Sequence, residues 1–205
     1  MHIVAGILLI VAAYGFGAIP WGVVLGRVLA GKDLRDFGSN STGATNAYRV
    51  LGWKFSAAVF LLDFAKGLIP VVLARWMDVG WWFVGAVAFA TVVGHCWSAF
   101  IRFGGGKGMA TGAGAIAGMV PWVLIVLPIM IIIVIATKYV SLASLVGTAL
   151  ATGLVWLAWA TGYEPAQAAL ACAAVAAVIF IRHHGNIDRL LHGKERRFSL
   201  RSSAG

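Results

Sequence analysis

With 61% of its 205 residues apolar, only 11% charged and a mean hydropathy of +0.91, the chain is too apolar to coat a soluble domain. Sixteen Lys and Arg against seven Asp and Glu give a net charge of +9. The basic residues sit at the ends of apolar runs, which fits cytoplasmic flanks against anionic lipid rather than a nucleic-acid surface.

The first apolar run, 3–25, carries no charge and exceeds the roughly 20 residues that cross a hydrocarbon core. Arg27, Lys32 and Arg35 follow it and no basic stretch precedes it. The expectation is an uncleaved span with its N-terminus outside and the loop 27–53 in the cytoplasm. Further runs cover 55–73, 81–101, 109–118, 122–136, 142–160 and 165–181, with Trp76, Trp81, Trp82, Trp156 and Trp159 placed for interface belts. The fourth run is short: ten residues rise only about 15 Å as a helix. Joining it to the fifth would put Lys138 and the basic tail outside, against the positive-inside rule. A reversal at 118–121, where Gly and Pro break helices, returns both to the cytoplasm. The expected architecture is an all-α integral membrane bundle of about seven transmembrane helices, C-terminus cytoplasmic. The fourth element is either sheltered at partial depth or begins earlier. Residues 1–198 read as a single domain and 199–205 as a tail without fixed structure. Cys96 and Cys172 fall inside apolar runs without CxxC or Cys/His spacing, so neither a disulfide nor a metal site is expected.

Four polar clusters collect on the expected cytoplasmic face. The segment 33–49, DLRDFGSNSTGATNAYR, offers Gly38, Ser39, Asn40, Ser41, Thr42, Gly43, Thr45 and Asn46 and then the planar fork of Arg49. Backbone N–H groups, hydroxyls and a guanidinium suit a phosphate; the alternative is a flexible Gly/Ser loop. The second cluster, 102–114, sets Gly104, Gly105 and Gly106 before Lys107 and Gly108, with an apolar helix to follow. Its helix N-terminus and bare backbone also suit an anion. No Ser or Thr follows Lys107 and no strand precedes it, so this is not a nucleotide P-loop; the bland alternative is a tight reversal with Lys107 as a topology signal. Third, Asp63 and Lys66 lie i, i+3 on one face of the second span, either as a mutual ion pair or in contact with substrate. Fourth, Lys138 and Ser141 precede the sixth run, and His183, Asn186, Arg189 and Glu195 follow the seventh. His183 and Asn186 share a face if the helix continues. His183 is a candidate base or simply a partner of the helix dipole; His95, His2, His184 and His192 read as structural or solvated.

Two anion-suited loops imply two phosphates or one diphosphate beside lipid. Neither a nucleophile elbow nor clustered carboxylates for a divalent metal stand out, so the substrate must arrive already activated. At these residues the chain resembles the PlsY family of bacterial membrane glycerol-3-phosphate acyltransferases that use acyl phosphate. The resemblance runs from Gly17 to Glu195 on GSNSTGATNAYR, LDFAKG, GHCWSAFIRFGGGKGMAT and HHGNIDRLLHGKE. Asn40 and Ser41 depart from the Gly and Asn usual there, Gly104 from a frequent Lys and Lys194 from a frequent Thr.

The resemblance implies acyl transfer from acyl phosphate to the sn-1 hydroxyl of glycerol 3-phosphate in the bacterial inner membrane. Lysophosphatidic acid and phosphate are the implied products, with no cofactor or metal and a monomer as the working unit. Lys107, Arg49, Ser39, His183 and Asn186 are the implied catalytic set. Gly38, Asn40, Ser41, Gly43, Thr45, Asn46, Lys66, Gly105, Gly106, Gly108, Ser141 and Glu195 are the implied substrate-binding set. On that reading Lys107 neutralises the leaving phosphate. The attacking hydroxyl gives its proton to a phosphate oxygen of the donor or to His183, with the first favoured. The rivals are an anion transporter, which would place its site near the midplane, and a lipid phosphatase, which would show a His nucleophile among Arg residues or clustered carboxylates.

Overall fold

The computed structural model describes residues 2–199, so the tail expected at 199–205 lies outside the described residues apart from Ser199, as does Arg201. The first apolar run is one 28-residue segment, Ile3–Ala30, broken near Pro20 into α1 (His2–Gly17) and α2 (Trp21–Ala30). Proline supplies no N–H and disfavours helix at the residue before it. Inside the polar loop a helix unforeseen in the sequence, α3 (Ala44–Leu51), leads into α4 (Trp53–Trp76). Next comes α5 (Trp81–Cys96), which stops five residues short of the expected end. Arg102 and Phe103 take left-handed backbone angles, φ 56° and 57°, and Ser98 N–H donates to the Gly104 carbonyl at 2.9 Å. The chain folds back there instead of continuing as helix.

The short fourth run is α6 (Met109–Met119). It lies parallel to α4, with Gly67 opposite Thr111 and Val71 opposite Gly118. It therefore begins level with the middle of α4. A Cβ at Gly67 would overlap the Thr111 carbonyl, and one at Gly114 the Phe64 carbonyl, so the two backbones meet as only small residues allow. Where α6 ends, Arg75 Nη1 donates to the carbonyls of Gly118 (3.0 Å) and Met119 (3.1 Å). Those carbonyls have no partner within the helix, and the guanidinium supplies one. The element starts at Met109, as drawn from the sequence, and not earlier.

The chain then turns back through a 3-10 stretch, Pro121–Val126, into α7 (Leu127–Thr137). Trp122 donates to Glu164 at 2.8 Å at one end of the bundle, and the Lys138 carbonyl accepts from Phe198 N–H at the other. α7 buries no residue; Ile131, Ile132 and Ile135 are all about 60% exposed, a face suited to lipid. α8 (Val140–Ala160) and α9 (Ala166–Arg182) follow, and α10 (His184–Leu191) departs from α9 at 61°. The helix does not run straight on through His183. Among the described residues three segments are long and apolar enough to cross a bilayer, Ile3–Ala30, α4 and α8, or four if the bent pair α9 and α10 is one span. Among the described residues there is no strand, and Cys96 and Cys172 are buried free thiols.

Candidate active site

At the bundle end where α3, α10 and the C-terminal segment gather, a cleft of about 600 Å³ opens between the polar loops. Asn46 builds one wall. Its Oδ1 accepts from Ser39 N–H (2.8 Å), and its Nδ2 donates to the carbonyls of Leu34 (2.8 Å), Phe37 (3.1 Å) and Ser41 (2.9 Å). A buried amide satisfied on every side is a loop organiser, and it holds Ser39, Asn40 and Ser41 along the cleft. Asp33 braces the loop from outside, caps a 3-10 turn and bridges Arg35 (2.7 Å) and Arg27 (2.8 Å). The Arg35 hydrogen bond holds its carboxyl well below the usual carboxylate range. Gly43 begins α3, whose first residues Ala44 and Thr45 face the cleft, and Arg49 follows one turn later. Burial, then repulsion from Arg196, lowers the Arg49 guanidinium from its ordinary value, which leaves it charged at neutral pH.

Lys107 lines the same cleft. Burial pushes its ammonium down to about 8; Glu195 opposes that, while Arg189, Arg49 and Arg182 add to it. The loop before it is gripped by Arg182, whose Nε donates to the Gly106 carbonyl (3.0 Å) and Nη2 to that of Gly105 (3.3 Å). His183, at the cap of α9, is 3% exposed. Its Nδ1 lies 2.8 Å from the Ile179 carbonyl. A carbonyl can only accept, so Nδ1 bears the proton and Nε2 is left as an acceptor. Burial lowers this imidazole to about 4, and it is neutral at pH 7.

Glu195 ties the rim together. Its Oε1 accepts from Ser141 Oγ (3.0 Å) and Asn186 Nδ2 (2.7 Å), its Oε2 from Arg189 Nε (2.8 Å). Burial raises this carboxyl, but those three hydrogen bonds outweigh it and hold the group below the usual range. Beyond it Arg196 donates to the Gly38 carbonyl (2.7 Å), and the ring of Phe198 lies 4.9 Å from that of Tyr48. The C-terminal segment thus straps the cleft from α10 across to α3.

The cleft brings together Ser39, Asn40, Ser41, Gly43, Thr45, Asn46, Arg49, Lys107, Ser141, His183, Asn186 and Glu195 from the sequence-derived set. Gly38, Gly105, Gly106 and Gly108 shape its walls without lining it. Two residues of the set are held by protein partners. Lys66 is 1% exposed, lies 2.9 Å from Asp63 and donates to the Ile19 carbonyl (2.7 Å), the ion pair that was one of the two readings open for it. Ser141 lines the cleft and donates its hydroxyl proton to Glu195. Sequence reasoning passed over Arg182 and read His95 as structural or solvated, and it named Asp63 and Arg189 in the polar clusters without placing them in the site; all four line the cleft. The basic residues after α9 carried the available signal, but they read equally as topology markers. Among the described residues no three His, Cys, Asp or Glu side chains gather as metal ligands.

Such a cleft, lined by Arg49 and Lys107 together with hydroxyls and a neutral imidazole, can hold two anions. The family model for glycerol-3-phosphate acyltransferase matches residues 7–193. Proteins of that name from Rubrobacter xylanophilus and Fusobacterium nucleatum are each 38% identical to this chain. The first alignment covers 97% of this chain and 98% of that one, the second 93% and 97%. The crystal structure of PlsY, an integral membrane glycerol 3-phosphate acyltransferase, in its glycerol 3-phosphate form superposes with a TM-score of 0.87 at 37% identity, covering 95% of this chain and 96% of that one. Its lysophosphatidic acid form gives 0.86 at 35%, covering 96% of each.

Proposed function

The chain belongs to the glycerol-3-phosphate acyltransferase family of integral membrane enzymes, and from that premise we propose that its acyl donor is an acyl phosphate and its acceptor the sn-1 hydroxyl of glycerol 3-phosphate. The observation that carries this reading is that Arg49 and Lys107 line one cleft, each beside a loop rich in glycine and polar donors. Two phosphates enter the reaction, one on each substrate, and the cleft offers a cation for each. The fatty tail accounts for the bilayer.

The acceptor oxygen attacks the carbonyl carbon of the donor. A carbon–oxygen ester bond forms, the bond from that carbon to the phosphate oxygen breaks, and the phosphate departs with the electron pair. Lys107 neutralises charge gathering on that phosphate, and Arg49 with the Ser39 to Thr45 loop orients the partner. The hydroxyl proton passes to a phosphate oxygen of the donor, which is near the reacting carbon and needs no dedicated protein base. His183, neutral with Nε2 free to accept, orients the glycerol hydroxyl. Asn186 keeps one amide hydrogen for substrate, the other being held by Glu195. The protein works as a monomer in the bacterial inner membrane, crossing about seven times with its N-terminus outside and the cleft at the cytoplasmic face, where the basic residues gather.

Release of inorganic phosphate from an acyl phosphate by the purified protein, with and without glycerol 3-phosphate and beside an acyl-CoA control, tests the reading. Release that requires glycerol 3-phosphate and yields lysophosphatidic acid is expected. Release without the acceptor would make the protein a phosphatase, and turnover with acyl-CoA alone would overturn the assigned donor.

A further inference from the structure

Beneath the glycine loop lies a buried polar group that the chemistry above leaves unused. Asp63, Lys66 and His95 are 2%, 1% and 5% exposed. His95 Nδ1 lies 3.6 Å from the Asp63 oxygen that Lys66 Nζ approaches to 2.9 Å. An ion pair in an apolar bundle is costly unless fully compensated, and Asp63 with Lys66 would be neutral without a third member. The third member has a different neighbour. His95 stands in the last turn of α5, its carbonyl accepts from Gly106 N–H at 3.2 Å, and its ring lies so close under Gly106 that a Cβ there would overlap the imidazole. Arg182 holds the same loop from the other side through the Gly105 and Gly106 carbonyls, its guanidinium 5.4 Å over the Trp97 ring.

We infer that His95, seated by the Asp63–Lys66 pair, is a positioning residue whose ring forms the floor under Gly106 and so sets where Lys107 stands in the cleft. The inference rests on the acyl-transfer reading for its kinetic consequence. Loop and ring form one fit: glycine at 106 is required because the imidazole is there, and the imidazole fixes how deep the loop settles. A displacement of about 1 Å in a group that meets the reacting phosphate can cost on the order of 100-fold in rate.

The test measures kcat, KM for both substrates and thermal unfolding for wild type, His95→Ala, Gly106→Ala and the double variant, in detergent. Each single substitution is expected to lower kcat at least tenfold. The double variant is expected to regain at least fivefold over Gly106→Ala, because the added methyl then fills the space the ring left. Should His95→Ala fail to fold, His95→Asn replaces it, with the same expectation. A His95→Ala protein within twofold of wild type in kcat, or a double variant no better than Gly106→Ala, overturns the inference. A second readout needs no turnover: the pH dependence of Lys107 modification by an amine reagent, followed by mass spectrometry. Wild type should titrate near 8, and His95→Ala should move toward an ordinary lysine value; an unmoved profile overturns the inference even if wild type proves inactive. Wild-type inactivity toward acyl phosphate would itself overturn the acyl-transfer reading alone.

Discussion

At the residue scale the two cations lining the cleft differ in one property that an experiment can use. Arg49 stays charged at any pH an enzyme meets, whereas burial brings Lys107 to about 8. Roughly nine in ten Lys107 side chains carry charge at pH 7 and about one in ten at pH 9. Activity is therefore expected to fall as pH rises through 8, and any activity kept by Lys107→Arg should persist to higher pH. The stability effect has the opposite sign. The folded value lies below the unfolded one, so from about 8 to 10.5 the unfolded chain binds the extra proton and this residue's contribution to stability rises with pH. Lys107→Ala should lose nearly all turnover, and normal turnover would sink the role given to it. His183→Ala should raise the KM for glycerol 3-phosphate more than it lowers kcat. Full loss of kcat with unchanged affinity would instead make His183 the base. Ser39, Arg49, Lys107, His183 and Asn186 were all legible in the sequence because polar groups in a membrane chain are few and conspicuous. His95 was not, since a lone histidine inside an apolar run carries no mark of what it packs beneath.

At the element scale α6 is the unusual part. It begins level with the middle of α4, and that start lets the Lys107 loop sit recessed between helices rather than on the surface. Its far end depends on Arg75. Arg75→Ala should leave the Gly118 and Met119 carbonyls without that donor and cost about 1–2 kcal/mol, read as a lower unfolding temperature in detergent. Gly114→Leu should be far more damaging, since the side chain would have to displace the α4 backbone at Phe64; a well-folded, active Gly114→Leu protein would contradict the α4–α6 fit. The sequence announced α6 through its length and its Gly–Pro boundary. Its depth was not legible, because depth depends on which neighbour shields the ends. Nor was α3 legible: a segment of Ala, Thr, Asn and Arg reads as loop until Asn46 is seen to gather four backbone partners around it.

At the scale of the whole molecule the C-terminal segment closes the structure. Glu195 joins α8 to α10, Arg196 reaches the Gly38 carbonyl and Phe198 meets Tyr48, so residues nearly 160 positions apart share one rim. Glu195→Ala should leave Arg189, Arg49 and Lys107 facing one another without a counter-charge. The expected result is low recovery of folded protein and a sharp loss of activity in what remains, measured by size-exclusion yield and phosphate release. The proposed orientation has its own check. A cysteine at Gly162 should react with a membrane-impermeant maleimide in intact cells and one at Lys32 only after permeabilisation, and the reverse pattern would invert the topology.

The sequence by itself determined the apolar segments, the reversal at 118–121 and the residue types suited to phosphate. Each follows from a local rule: an uncompensated charge or an unpaired peptide group is too costly in hydrocarbon to occur by accident. Only the tertiary structure decided which of those polar groups face the cleft and which face each other. Lys66 turned inward to Asp63 and Ser141 turned to Glu195, while His95 and Arg182 took hold of the glycine loop from two sides. That choice rests on distances of a few ångströms between segments far apart in the chain, where the strength of each pairing is set by who else is buried beside it.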